Sequence, residues 1–297
     1  MMKIVLLVLK LVALTVILFV CYAVAGGVVR LPANTQDPAA GTLALVVVCV
    51  LQTLVLSYLI LRSRWSGMRL AATIAFVYYG VATFMPQIES AVFITSLPAG
   101  TLPRLFVMGA LVAIPFAALA VLILGKRKPF PADLVSASRL TMPASEWGWK
   151  LALIAIAYVT LYLSFGYFIA WRNPALRAYY GDVDPGSFTG QLGHIFRDMA
   201  WLVPFQIVRA MCWVAIAVPV IKMLKGDRLE TALALGFLFS VVMNSLLLLP
   251  NPYMPESVRM SHLVETASSN FIFGVLVGWL LTERHALTRP ALAQDNV

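Results

Sequence analysis

The chain has 297 residues, of which 61% are hydrophobic and only 12% charged, with a mean hydropathy of +0.88. A soluble domain of this length needs far more charge to cover its surface, so the composition excludes that class and selects a polytopic membrane protein. The net charge of +9 would suggest nucleic acid in a soluble protein. Here the charges sit in short segments between apolar runs, which points to membrane orientation and to no nucleic-acid partner.

In chain order, eight apolar runs are long enough to span a bilayer, which takes ~20 residues in a helix. They cover about 4–25, 41–61, 70–97, 105–124, 149–171, 199–221, 231–250 and 260–281. The predicted fold is an all-α bundle of about eight transmembrane helices in a single transmembrane domain spanning 1–297, with the lipid bilayer as its main partner. At the first run, Lys3 and Lys10 precede LVALTVILFV and Ala23-Val24-Ala25 follows it, in imitation of a signal peptide. Its length favours a retained helix. Cys21, Cys49 and Cys212 all fall inside apolar runs and read as small buried hydrophobes.

Lys and Arg set the orientation. With the N-terminus cytoplasmic, the inner segments hold Lys3, Arg62, Arg64, Arg69, Lys126, Arg127, Lys128, Arg139, Lys150, Lys222, Lys225, Arg228, Arg284 and Arg289. The outer segments hold only Arg30, Arg104, Arg172, Arg177, Arg197 and Arg259. Both termini are therefore expected in the cytoplasm. A cytoplasmic connector at 125–148 divides the spans into two groups of four, without a residue-level repeat between them. The outer loop 172–198 is rich in aromatics and glycine, which suits either an ordered cover or a plain exposed loop. Within it, GDVDPGS at 181–187 lacks the later ligands of a calcium loop and reads as a turn.

Ionisable residues inside a span are costly, and they usually face the bundle interior or a wet cavity. Lys10 lies near the inner end and can snorkel. In the third span, Tyr79, Thr83, Pro86, Glu89 and Ser90 share a broad face with Gln87 nearby, and Pro86 bends the helix or leaves an acceptor free. In the sixth, Gln206 and Arg209 share a face at i, i+3. In the seventh, Asn244 precedes the outer end at Pro250. The eighth opens with MSHLVETASSN, and successive 100° steps give its outer half one polar arc containing His262, Glu265, Ser269 and Asn270.

At 1.5 Å per residue, Glu265 and Asn244 lie roughly 9 Å inward of Arg259 and Pro250, and Glu89 roughly 12 Å inward of Leu97. These depths coincide in the outer half. They predict an outward-facing polar pocket of Glu89, Gln206, Arg209, Asn244, His262 and Glu265, with Tyr79, Gln87, Ser269 and Asn270 as secondary members. The pocket would bind or translocate a small polar or ionic ligand. Arg209 could instead serve only to pair with Glu89 or Glu265.

Two other readings stand beside this one. An intramembrane enzyme would use Glu89 or Glu265 as general base and His262 as acid or ligand. In a metal-assisted form, His262, Glu265 and Glu89 would hold zinc or iron, although the order of His262 and Glu265 reverses the usual Glu-x-x-His and HExxH is absent. The remaining reading is a structural or partner subunit of a membrane complex. Composition and motifs specify no cofactor.

Four stretches, FMPQIESAVF at 84–93, FGYFIAWRNPALRAYYG at 165–181, PFQIVRAMCW at 204–213 and NPYMPESVRMSHLVETASSNFIFG at 251–274, carry a resemblance. Together they resemble a family of uncharacterised bacterial multi-span integral membrane proteins. The resemblance implies the bacterial inner membrane and no particular activity.

Overall fold

A computed structural model describes residues 1–30, 38–94, 97–128, 140, 142–181 and 184–282. Among them, helix is the only extended secondary structure. The long helices are α1 (Met2–Val29), α2 (Pro38–Leu61), α3 (Gly67–Phe93), α4 (Thr101–Ile123) and α5 (Ala144–Phe168). Two short ones follow, α6 (Pro174–Tyr180) and α7 (Phe188–Asp198). The chain then forms α8 (Leu202–Met223), α9 (Arg228–Leu248) and α10 (Glu256–Leu281). Eight of the ten are long and apolar enough to cross a membrane, matching the eight predicted runs. Predicted Arg139, Arg284, Arg289 and half of the 125–148 connector lie outside the described residues.

The α2–α3 and α8–α9 turns and the residues just after α4 gather at one end. That end is basic and closed by polar bonds. Arg64 N donates to Met223 O at 2.7 Å and Lys225 N to Arg62 O at 2.9 Å. Lys126 Nζ, buried among these turns, donates to Ser63 O at 2.5 Å. Tyr58 and Arg62 both donate to Glu230, whose contact holds the Arg62 guanidinium more firmly charged than usual.

The third, sixth, seventh and eighth spans (α3, α8, α9 and α10) pack together, with α5 against α8 and α10. The tightest junction is α9 with α10. A Cβ on Gly274 would stand 2.5 Å from Leu235 O, and one on Gly278 2.5 Å from Ala232 Cα. The two glycines, four apart, therefore let the backbones approach where lipid supplies no hydrophobic drive.

Two of the packed helices are interrupted. Over Gly80–Phe84, α3 widens to a π turn, in which Met85 N donates to Gly80 O, five residues back. This places Pro86 at the start of a fresh helical segment, where its missing N–H costs least. The strain expected at Pro86 is thus relieved one turn earlier. A second π turn spans Leu238–Val242 in α9, and the two turns touch.

Candidate functional site

At the end opposite the basic turns, a cavity of about 870 Å3 opens between the helices. Its walls are the second half of α3, the first half of α4, the end of α5, the end of α9 and the start of α10. Tyr180 of α6 and Gln191 and Ile195 of α7 complete it. The walls are mainly apolar and aromatic, and the polar groups concentrate on α3 and α10. The volume falls within the ~300–1,000 Å3 of small-molecule sites.

Two polar pairs define the charged wall. Arg209 Nη1 and Nη2 donate to the two carboxylate oxygens of Glu89 at 3.0 and 2.7 Å. Nη1 also donates to Gln206 Oε1 at 2.9 Å. The arginine side chain is 3% exposed and Glu89 26%, so the pair reaches the cavity through its carboxylate. The planar fork of guanidinium against carboxylate is the strongest ion-pair geometry open to these side chains. Tyr158 and Phe205 rings flank the guanidinium carbon at 5.8 and 5.9 Å.

The second pair lies on one turn of α10. His262 Nδ1 stands 2.8 Å from Glu265 Oε2, and its Nε2 2.9 Å from the Tyr180 hydroxyl. Trp171 stacks on Tyr180 with centroids 5.9 Å apart. Burial pushes the Tyr180 phenol well above its ordinary value, so it stays a hydroxyl at physiological pH. It can donate to a neutral imidazole or accept from an imidazolium, and the geometry serves both protonation states of His262.

Two sets of bonds hold this wall in place. From the loop, Asn173 Nδ2 donates to Ser261 Oγ at 2.8 Å, and Tyr179 donates to Tyr253 O at 2.8 Å. From α9, Asn244 Nδ2 donates to Ser240 O at 2.7 Å, while its Oδ1 accepts from Thr266 at 2.5 Å. Asn244 thereby repairs its own interrupted helix and ties it to α10. From the 172–198 segment, α6 and α7 bring Tyr180, Gln191, His194 and Ile195 to the cavity wall, and Arg177 pairs with Asp184 at 3.0 Å.

Of the predicted residues, Glu89, Gln87, Asn244, His262 and Glu265 line the large cavity. Arg209, Ser269 and Asn270 line a small adjoining one of about 20 Å3, together with Glu89 and Glu265. Gln206 is fully buried behind Arg209 and reaches neither cavity. Tyr79 packs against the apolar core, and Tyr78 takes the place on the cavity wall expected for it. The cause is the π turn: its extra residue puts positions 78 and 83 on one face, where a regular helix would align 79 and 83. Among the described residues, no group of three or more His, Cys, Asp or Glu side chains is arranged to hold a metal.

One polar cluster escaped the reading of the sequence. Gln52 Oε1 accepts from Tyr78 at 2.6 Å and from Tyr22 at 3.0 Å. Its Nε2 donates at 3.0 Å to Val242 O, in the α9 π turn, and at 3.3 Å to Ser245 Oγ. A lone glutamine inside the apolar run of α2 was the available signal. Comparison with family models, curated proteins and solved structures gives no match.

Proposed function

We propose that this integral membrane protein binds, and passes across the bilayer, a small polar or ionic ligand held in the cavity between α3, α5, α9 and α10. One observation carries the reading. Intramembrane ionisable residues from α3, α8 and α10 converge beside a single cavity of ligand size. Residues that merely neutralised one another would pack without such a space. The basic, bond-closed end supports a cytoplasmic placement for the turns and for both termini, so the cavity faces outward. The resemblance described above supports the bacterial inner membrane.

An enzyme remains the second reading, on the specific ground that His262 carries a carboxylate on one nitrogen and a hydroxyl on the other. That arrangement orients an imidazole for acid–base work.

The test is ligand stabilisation of purified protein against a variant with the cavity filled, Met108→Trp with Leu163→Trp. Solutes that bind will raise the unfolding temperature of the wild type and leave that of the folded double variant unchanged. Equal stabilisation of both would reject the cavity as the binding site.

A further inference from the structure

The charges around the cavity are unequal, and this narrows the ligand. Among the described residues, Glu89, Glu265, His194 and His262 line the cavity, and no lysine or arginine does. The positive charge of Arg209 is committed to both oxygens of Glu89. His194 is bridged to Asp198 at 2.8 Å. The balance then depends on Glu265, a carboxylate only 6% exposed, whose one hydrogen-bonded oxygen meets His262. With His262 neutral the wall carries one uncompensated negative charge. With His262 protonated it carries none. A lone buried carboxylate is expensive, so the neutral state favours a cation from elsewhere.

The surroundings specify what sort of cation. Tyr162, Trp171 and Tyr180 line the cavity with Glu265 and His262, and Phe93 and Trp201, with ring centroids 5.9 Å apart, line it too. Gly166 leaves the free side of Glu265 open: an added Cβ there would lie only 3.6 Å from its Oε1. Aromatic faces attract cations, and a large apolar cavity rewards a bulky apolar body. A hydrated metal ion would use neither.

Resting on the proposed binding role, we infer that the ligand is a hydrophobic organic cation, and that it competes with one proton for the His262–Glu265 pair. On α7, His194 carries its own carboxylate, Asp198. Glu89 on α3 and Arg209 on α8 cancel each other. Tyr158 and Tyr162 on α5 and Tyr180 on α6 are neutral, and α9 offers Asn244 and Met243. His262 is left as the group whose proton the cation replaces. Competition with a single proton makes the apparent affinity rise by up to about tenfold per pH unit until His262 is fully neutral.

The test uses tetraphenylphosphonium and tetraphenylborate, ions of the same shape and opposite charge, added to purified protein at pH 8 and pH 5.5. Tetraphenylphosphonium should raise the unfolding temperature at pH 8 and do so less at pH 5.5, while tetraphenylborate should not. Glu265→Gln should weaken the phosphonium response at least tenfold in half-saturating concentration. His262→Gln, which keeps a donor to Glu265, should bind it equally at both pH values. If Glu265→Gln does not fold, His262→Gln alone decides. Equal responses to the two ions, an unchanged response in Glu265→Gln, or a persistent pH dependence in His262→Gln would overturn the inference. Stabilisation by a neutral or anionic solute that is lost in the cavity-filled variant, with no response to the phosphonium, would overturn it while leaving the binding role standing. No response to any solute would overturn both.

Discussion

Removing the carboxylate of Glu89 leaves the Arg209 guanidinium in low dielectric with Gln206 as its remaining acceptor. Breaking a buried ion pair from one side costs ~3–5 kcal/mol. Here the carboxylate is 26% exposed to the cavity, so water can replace part of its contact. The retained Gln206 bond offsets a further part. Glu89→Gln should therefore cost about 2–3 kcal/mol, below that range. For a chain this long, each kcal/mol shifts the midpoint by ~2 °C, giving a fall of about 4–6 °C. Arg209→Met should also destabilise, because it strands Glu89. The double variant Glu89→Gln with Arg209→Met removes both charges and should be no less stable than Glu89→Gln alone. Thermal unfolding in detergent measures all three, and the cycle should give a coupling of at least ~1.5 kcal/mol. Strictly additive losses would refute the pairing of Arg209 with Glu89.

Other outcomes follow from the packing. Gly278→Leu should separate α9 from α10 and destabilise by several degrees, whereas Gly148→Leu, which meets nothing within 4 Å, should not. Gln52→Leu removes the donor to the Val242 carbonyl and the acceptor of Tyr22 and Tyr78, whose hydroxyls keep only their 3.1 Å bond to each other, so a loss of about 1–3 kcal/mol is expected in the same assay. At the basic end the Arg62–Glu230 pair is well exposed, so Arg62→Ala should cost under ~1 kcal/mol, and less at high salt. Tyr180→Phe removes the loop's bond to His262, and faster amide exchange over 174–181 should reveal a looser cover.

The eight spans were legible because the bilayer demands long apolar runs, and these are hard to mistake. Glu89, Arg209 and Glu265 were legible for the converse reason, since a charge in such a run needs an explanation. Which carboxylate Arg209 would take was not legible, because partner choice depends on how α3, α8 and α10 rotate against one another. The swap of Tyr78 for Tyr79 was hidden by the π turn, which breaks the regular 100° step used to assign faces. Asn244 was identified as a pocket residue from depth alone. Its second role, satisfying the Ser240 carbonyl, depends on an interrupted helix that propensity does not predict. Gln52 was passed over because one uncharged polar residue in an apolar run is common in membrane bundles.

The central claim is that the polar face of α10 borders a water-accessible cavity open to the outside, and two neighbouring residues test it most directly. Thr266 lines the cavity, and Val264, two positions earlier, is exposed on the lipid-facing side of the same helix. The thiolate is the nucleophile that attacks a thiol reagent, and it needs water to form. With Cys21, Cys49 and Cys212 replaced by alanine, Thr266→Cys in sealed cells should react with a membrane-impermeant reagent added outside, and Val264→Cys should not. Labelling of Thr266→Cys only after the membrane is opened, or at no higher rate than Val264→Cys, would contradict the account.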